Sequence, residues 1–156
     1  MKQIEVKKGD ILQREGELDT KVYHVRKGLL RSYSVDEKGK KHIFMFAPEG
    51  WTIADGVTPE QPSELFIDAL EDAKVIVLTK DTEREKHNAK PLLKRIMVLQ
   101  QRVIMLMSSS ALQRYEHFLE TYPDIIQRVP QKMIASYLGI TPEALSKLKR
   151  DKARRK

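Results

Sequence analysis

Eight side chains near the carboxyl end of this chain have types and spacing that can do chemistry: Gln131, Thr141, Pro142, Glu143, Ser146, Lys147, Lys149 and Arg150. Glu143, Ser146, Lys147 and Arg150 recur at helical intervals, which places them on one face of a helix. A carboxylate there accepts from an exocyclic amine such as that of cytosine, and an ammonium donates to guanine. Gln131, Thr141, Lys149 and Arg150 suit phosphate oxygens. The charge points the same way. From Arg128 to Lys156 nine basic residues face two acids, Glu143 and Asp151, so this segment holds the whole net charge of +7. Residues 1–127 balance at 20 basic against 20 acidic. A neutral body with a cationic end calls for a polyanionic partner. The bland alternative is a solvated tail, with Glu143 serving only the helix dipole.

Other chemistries find no support. The chain has no cysteine, so disulfides, thiolate metal sites and a cysteine nucleophile are excluded. His24, His42, His87 and His117 are isolated in sequence. Strand pairing can make His24 and His42 neighbours, and ordinary surface histidines are the simpler reading. A metal-dependent enzyme on a β-roll needs clustered imidazoles and carboxylates. There is no glycine-rich phosphate loop and no Gly-x-Ser-x-Gly elbow. The expectation is therefore no enzyme, no catalytic residues, no metal and no cofactor.

The eight residues need elements to hold them. Pro130 can open a helix whose inward face is Ile134, Ala135 and Leu138. Gly139 is the expected left-handed stop. Thr141 is a good N-cap, Pro142 suits the first helical position, and Ile140 with Leu145 occupy the positions of a hydrophobic staple. Helix, short glycine-containing turn and second helix make a helix-turn-helix. Upstream, Leu112, Tyr115, Phe118, Leu119 and Tyr122 form the core stripe of another helix. Before that, Leu92, Ile96, Leu99, Val103 and Leu106 step by 4, 3, 4 and 3, the spacing of a coiled-coil seam. Packing on the chain's own barrel is the alternative use of that helix, and one helix can serve both. Ser108-Ser109-Ser110 ends it or forms a hinge, and Thr79 or Asp81 can cap a short polar helix through His87.

From Ile4 to Thr79 short strand-like runs are broken by Gly and Pro: Lys21–Arg26, the alternating Leu30–Val35, His42–Phe46, and the β-rich Leu65–Ile67 and Val75–Leu78. These predict a small antiparallel barrel or sandwich. The fold class is α+β, with an N-terminal β-roll (1–88), a long dimerisation helix (89–111) and a C-terminal helix-turn-helix module (112–156). The 156 residues are 40% hydrophobic, enough for a real core. No secretory leader and no 18-residue apolar run is present, which suggests a cytoplasmic protein.

This order of parts resembles the Crp/Fnr family of bacterial transcription regulators. The stretch from Arg128-Val129-Pro130-Gln131-Lys132 through Ala135-Ser136-Tyr137-Leu138-Gly139-Ile140-Thr141-Pro142-Glu143-Ala144-Leu145-Ser146 carries the resemblance, with Tyr115–Pro123, and is close to the branch common in Bacteroidetes. Lys8–Leu12, Glu15-Gly16-Glu17 and Val25–Gly28 match more loosely, so nearly the whole chain is covered. The resemblance implies a cupin-like, cyclic nucleotide-binding-like β-roll, a homodimer and sequence-specific binding to pseudo-palindromic double-stranded DNA. It implies RNA polymerase and an unidentified small-molecule effector as partners, and no membrane.

Two departures matter. Relatives that bind cyclic AMP present Gly-Glu at a short helix and an Arg-Ser pair shortly after. Anchored on Trp51 and on Leu65-Phe66-Ile67, the matching residues here are Ala54-Asp55 and Ser63-Glu64. An acid beside a phosphate is unfavourable and a bidentate arginine contact is lost, so control by cyclic AMP is not expected. Trp51, Asp55, Ser63 and Glu64 remain the candidate effector pocket, with loop packing as the plainer reading. The second departure is length: the chain begins almost at its first strand and stops at Lys156, where many relatives have an N-terminal helix and a β-hairpin wing. The alternative function is a small-molecule-sensing or protein-interaction β-roll without specific DNA binding.

Overall fold

The computed structural model describes residues 2–80 and 89–154, without side chains for 89–92, 94, 95 and 108. The polar helix expected to end at His87 lies outside the described residues. The chain divides into two compact units, Met1–Thr82 and Glu83–Lys156.

Among its described residues the first unit contains eight strands: β1 (Lys2–Val6), β2 (Ile11–Gln13), β3 (Lys21–Lys27), β4 (Leu30–Val35), β5 (Lys41–Ala47), β6 (Thr52–Ile53), β7 (Phe66–Ala69) and β8 (Ala73–Thr79). They form two sheets, ordered β1-β8-β3-β6 and β2-β7-β4-β5. The pairings are antiparallel. Alternation decides which residues meet between the sheets. Tyr23 pairs with Val77 and Val25 with Val75 in the first sheet. Leu30 pairs with Ala69 and Ser32 with Ile67 in the second. Tyr23, Val25, Leu30, Ile53, Ile67 and Val75 belong to the buried core, with Ile4, Leu12, Met45 and Trp51 packed against it.

The opposite face of the second sheet is also built from partners directly across strands. Arg31 stands opposite Asp68, and Tyr33 opposite Phe66. Arg31 donates through Nε and Nη2 to the two Asp68 oxygens, both at 2.7 Å, and Tyr33 stacks on Phe66 with centroids 5.2 Å apart. Both charges are buried, so the fork-to-fork geometry is what makes the pair tolerable. His24 lies on β3 and His42 on β5, hence in different sheets, and the pairing considered from sequence does not form.

The second unit contains α1 (Ala89–Ser108), α2 (Ala111–Thr121), α3 (Ile125–Arg128), α4 (Gln131–Leu138) and α5 (Pro142–Arg154). Ser110, in the serine run, caps α2: its Oγ accepts from Gln113 N at 3.3 Å while its own N–H donates to Gln113 Oε1 at 2.8 Å. This reciprocal box satisfies two otherwise orphaned donors. Phe118, Tyr122 and Tyr137 pack as an aromatic trio with centroid separations of 5.4, 5.4 and 5.6 Å. Ile125, Ile134, Leu138 and Leu145 complete the core.

Candidate nucleic-acid interface

The candidate interface is assembled around one turn. Gly139 ends α4 with φ +65° and ψ +32°, a left-handed conformation that costs a residue with a Cβ. The chain then folds back, with Ile140 N–H donating to Ala135 O at 3.0 Å. Thr141 Oγ1 accepts from Ala144 N at 3.2 Å, and Leu145 N–H donates to Thr141 O at 3.1 Å, so Thr141 is the cap and Pro142 the first residue of α5. Leu145, at the staple position, is fully buried. Pro130 sits one position before the helix it was expected to open, as the N-cap of α4.

With Leu145 anchored inward, the opposite face of α5 is turned to solvent. Glu143, Ser146, Lys147 and Arg150 are exposed, as are Thr141, Pro142 and Gln131, whereas Lys149 is half-buried. Gln131, Glu143, Ser146, Lys149 and Arg150 converge on a cleft of about 490 Å³ between the start of α4 and α5. Thr141, Pro142 and Lys147 are not among its lining residues.

Three contacts that sequence reasoning did not find set the pose of this motif. Arg114 Nη1 donates to Leu138 O at 2.9 Å and so satisfies a carbonyl at the end of α4. Arg102 on α1 places its guanidinium carbon 4.2 Å from the centroid of Tyr137 on α4. Leu106, one turn further along α1, has its Cδ2 3.9 Å from where a Cβ on Gly139 would stand. The last seam position therefore also packs against the turn of the motif. Lys152 is withdrawn from the cationic face: its Nζ lies 3.1 Å from Glu116 Oε1 and 5.9 Å from the Tyr115 ring centre.

Along α1, Ile96 is 50% exposed, Val103 54% and Leu106 37%, while Leu99 is half-buried. The Leu92 side chain is outside the described residues. Leu93, Met97, Val98, Ile104 and Met107 are exposed as well. Isolated apolar side chains on a surface are ordinary, but a contiguous apolar stretch along one helix is not.

Of the four candidate effector residues, the structure joins Asp55 and Ser63 through a shared partner. Trp51 packs on the core and Glu64 is exposed. Asp55 and Ser63 are buried and share the Gln13 amide, whose Nε2 donates to Asp55 Oδ2 at 2.9 Å and Ser63 Oγ at 2.6 Å. Asp55 Oδ1 accepts from Thr20 Oγ1 at 3.2 Å and from Lys80 Nζ. Burial pushes the Asp55 carboxyl up, but the hydrogen bond and charge of Lys80, with the surrounding hydroxyls, outweigh it and hold the group below its ordinary 3.8. A carboxyl lowered in the folded state stabilises above that value and loses its contribution as pH falls through the folded value. The denaturant midpoint of the β-roll is thus expected to drop below pH 3.8, and Asp55→Asn should flatten the drop. Denaturant titrations from pH 6 to pH 2.5 check this.

Among the described residues no group of three or more His, Asp or Glu is placed to hold a metal, and no helix is long and apolar enough to cross a membrane.

A two-sheet β-roll followed by a long helix and a capped helix-turn-helix is the architecture of the Crp/Fnr-type regulators. FixK2 from Bradyrhizobium japonicum has this fold, with a TM-score of 0.77 at 19% identity over 99% of this chain and 85% of that one. A CRP/FNR-family transcriptional regulator from Thermus thermophilus gives 0.75 at 20% identity, over 99% and 87%. The c-di-GMP-responsive global regulator CLP of Xanthomonas campestris gives 0.71 at 12%, over 98% and 87%. Residues 3–88 match the family model of the cyclic nucleotide-binding domain, and the chain belongs to that family. No curated protein matches the chain.

The family name implies a cyclic nucleotide, and the residues present do not fit one. Residues 54–65 carry Asp55, Glu60 and Glu64 and no lysine or arginine. Both Asp55 oxygens are already engaged by Gln13, Thr20 and Lys80. Nothing in that loop offers a charged donor to a cyclic phosphate.

Proposed function

We propose that this chain is a sequence-specific DNA-binding transcription regulator of Crp/Fnr type. It acts as a homodimer on a pseudo-palindromic site, without control by cyclic AMP, and passes its effect to RNA polymerase. The observation that carries the reading is the exposed face of α5. Glu143, Ser146, Lys147 and Arg150 stand on a helix capped by Thr141 and anchored by Leu145, inside the segment that holds the entire net charge. A helix so presented enters a major groove, and two of them about 34 Å apart meet successive half-sites. The apolar stripe of α1 supplies the surface through which a second copy can set that spacing.

The test is a gel shift with mixed genomic DNA followed by selection from random duplexes, each over a salt series. Log affinity is expected to fall with log salt by about 0.9 for every phosphate neutralised. A chain that bound no duplex at low salt would leave the protein-interaction reading in its place. Within a selected operator, Lys147→Ala is expected to cost about 1–3 kcal/mol and to relax preference at one base position. Lys149→Ala is expected to weaken all sequences alike and to reduce the salt slope by about 1. Binding isotherms on the operator and on single-base variants distinguish the two.

A further inference from the structure

We infer that the β-roll carries its own ligand: the Lys80 ammonium, caged by Asp55, Thr20 and Val57, permanently fills the polar site of the β6–β7 loop that a diffusible effector would need. An ammonium has three N–H donors. All three find acceptors inside the roll: Thr20 Oγ1 at 2.7 Å, Val57 O at 2.7 Å and Asp55 Oδ1. The Lys80 and Asp55 side chains are only 6% and 2% exposed, and Gln13, Thr20 and Ser63 around them are buried.

Two other lysine pairs of the roll are of a different kind. Lys7–Asp72 and Lys74–Glu5 lie in solvent, where a lysine exchanges partners freely. A buried pair cannot exchange, because losing either member strands the other charge away from water. An incoming anion finds the Lys80 protons used, and an incoming cation finds both Asp55 oxygens used. Lys80 also directly follows β8, so the latch fixes where the chain leaves the roll. The regulatory consequence, DNA binding without an added effector, rests on the function proposed above.

Two experiments on the full chain test the latch without DNA. The first is trace labelling of amines with acetic anhydride, read by peptide mass spectrometry with and without cyclic AMP. Lys80 is expected to react about tenfold or more slowly than exposed Lys38, because reaction requires local opening. Cyclic AMP should leave that rate unchanged. The second is Lys80→Ala, which should lower the melting temperature by roughly 10 °C and leave a cage shaped for an ammonium. Ethylammonium chloride should raise the melting temperature of this variant above the effect of equimolar sodium chloride. Asp55→Asn/Lys80→Ala should not respond. Labelling of Lys80 at the Lys38 rate, faster labelling when cyclic AMP is added, or equal effects of the two salts overturns the inference. If Lys80→Ala does not fold, the labelling of the unaltered chain decides alone. A failed gel shift would remove the DNA-binding reading and leave these results standing.

Discussion

Leu99→Asp/Val103→Asp is expected to yield a monomer that binds an operator about 10²–10⁴-fold more weakly than the unaltered chain. The magnitude is the loss of the second, linked half-site. The two residues are consecutive seam positions on α1, and Val103 is 54% exposed in the single chain. In a twofold pair the double variant sets four carboxylates into apolar surroundings, where an unpaired charge is intolerable. The effect extends beyond valency. Arg102 stacks on Tyr137 and Leu106 abuts Gly139, so the helix proposed to pair the subunits also holds the motif proposed to read DNA. Val98 is as exposed as Val103 but lies off the seam, and Val98→Asp should leave both dimer and affinity intact. Sedimentation measures the first quantity and operator titration the second. A double variant that still sedimented and bound as a dimer would remove the seam assigned to α1.

What was legible in the sequence was local. Gly139, Thr141, Pro142 and Leu145 act through bonds within a few positions of themselves, so their spacing alone announces the turn and the exposed face it presents. Strands of six or seven residues can be read, β4 from its alternation and β8 from the β-rich run Val75–Leu78. β2 and β6 have three and two residues and α3 has four, too few for any period to appear. What joined distant positions stayed hidden. Lys80 and Asp55 are 25 positions apart, and Arg114 and Leu138 are 24. A lysine in sequence carries a charge but not its partner. Lys152 reads as tail charge yet is tied to Glu116, and Asp55 reads as an effector contact yet is engaged by the chain itself.

Gly28→Ala is expected to destabilise the β-roll by about 3 kcal/mol or more, the sum of a backbone cost and a steric one. Gly28 lies between β3 and β4 with φ +91°, and its N–H donates to Glu49 Oε1 at 2.8 Å. The left-handed backbone alone costs an alanine about 1–2 kcal/mol. The rest is collision. A Cβ at this position would stand 2.5 Å from Asp72 O, 2.7 Å from Ala73 Cβ and 2.8 Å from Ala73 Cα. Two of those atoms are backbone, and the first residue of β8 cannot retreat without moving its strand. Asp72 is itself pinned, accepting from Lys8 N–H and from Lys7 Nζ, both at 2.9 Å. Overpacking against such neighbours adds about 1–3 kcal/mol. Gly56 has nothing within 4 Å of an added Cβ, so Gly56→Ala should stay within about 0.5 kcal/mol of the unaltered chain. Urea titrations followed by the fluorescence of Trp51, which packs on the roll's core, report both variants. A midpoint for Gly28→Ala equal to that of Gly56→Ala would mean that β8 does not hold the close approach to this hairpin.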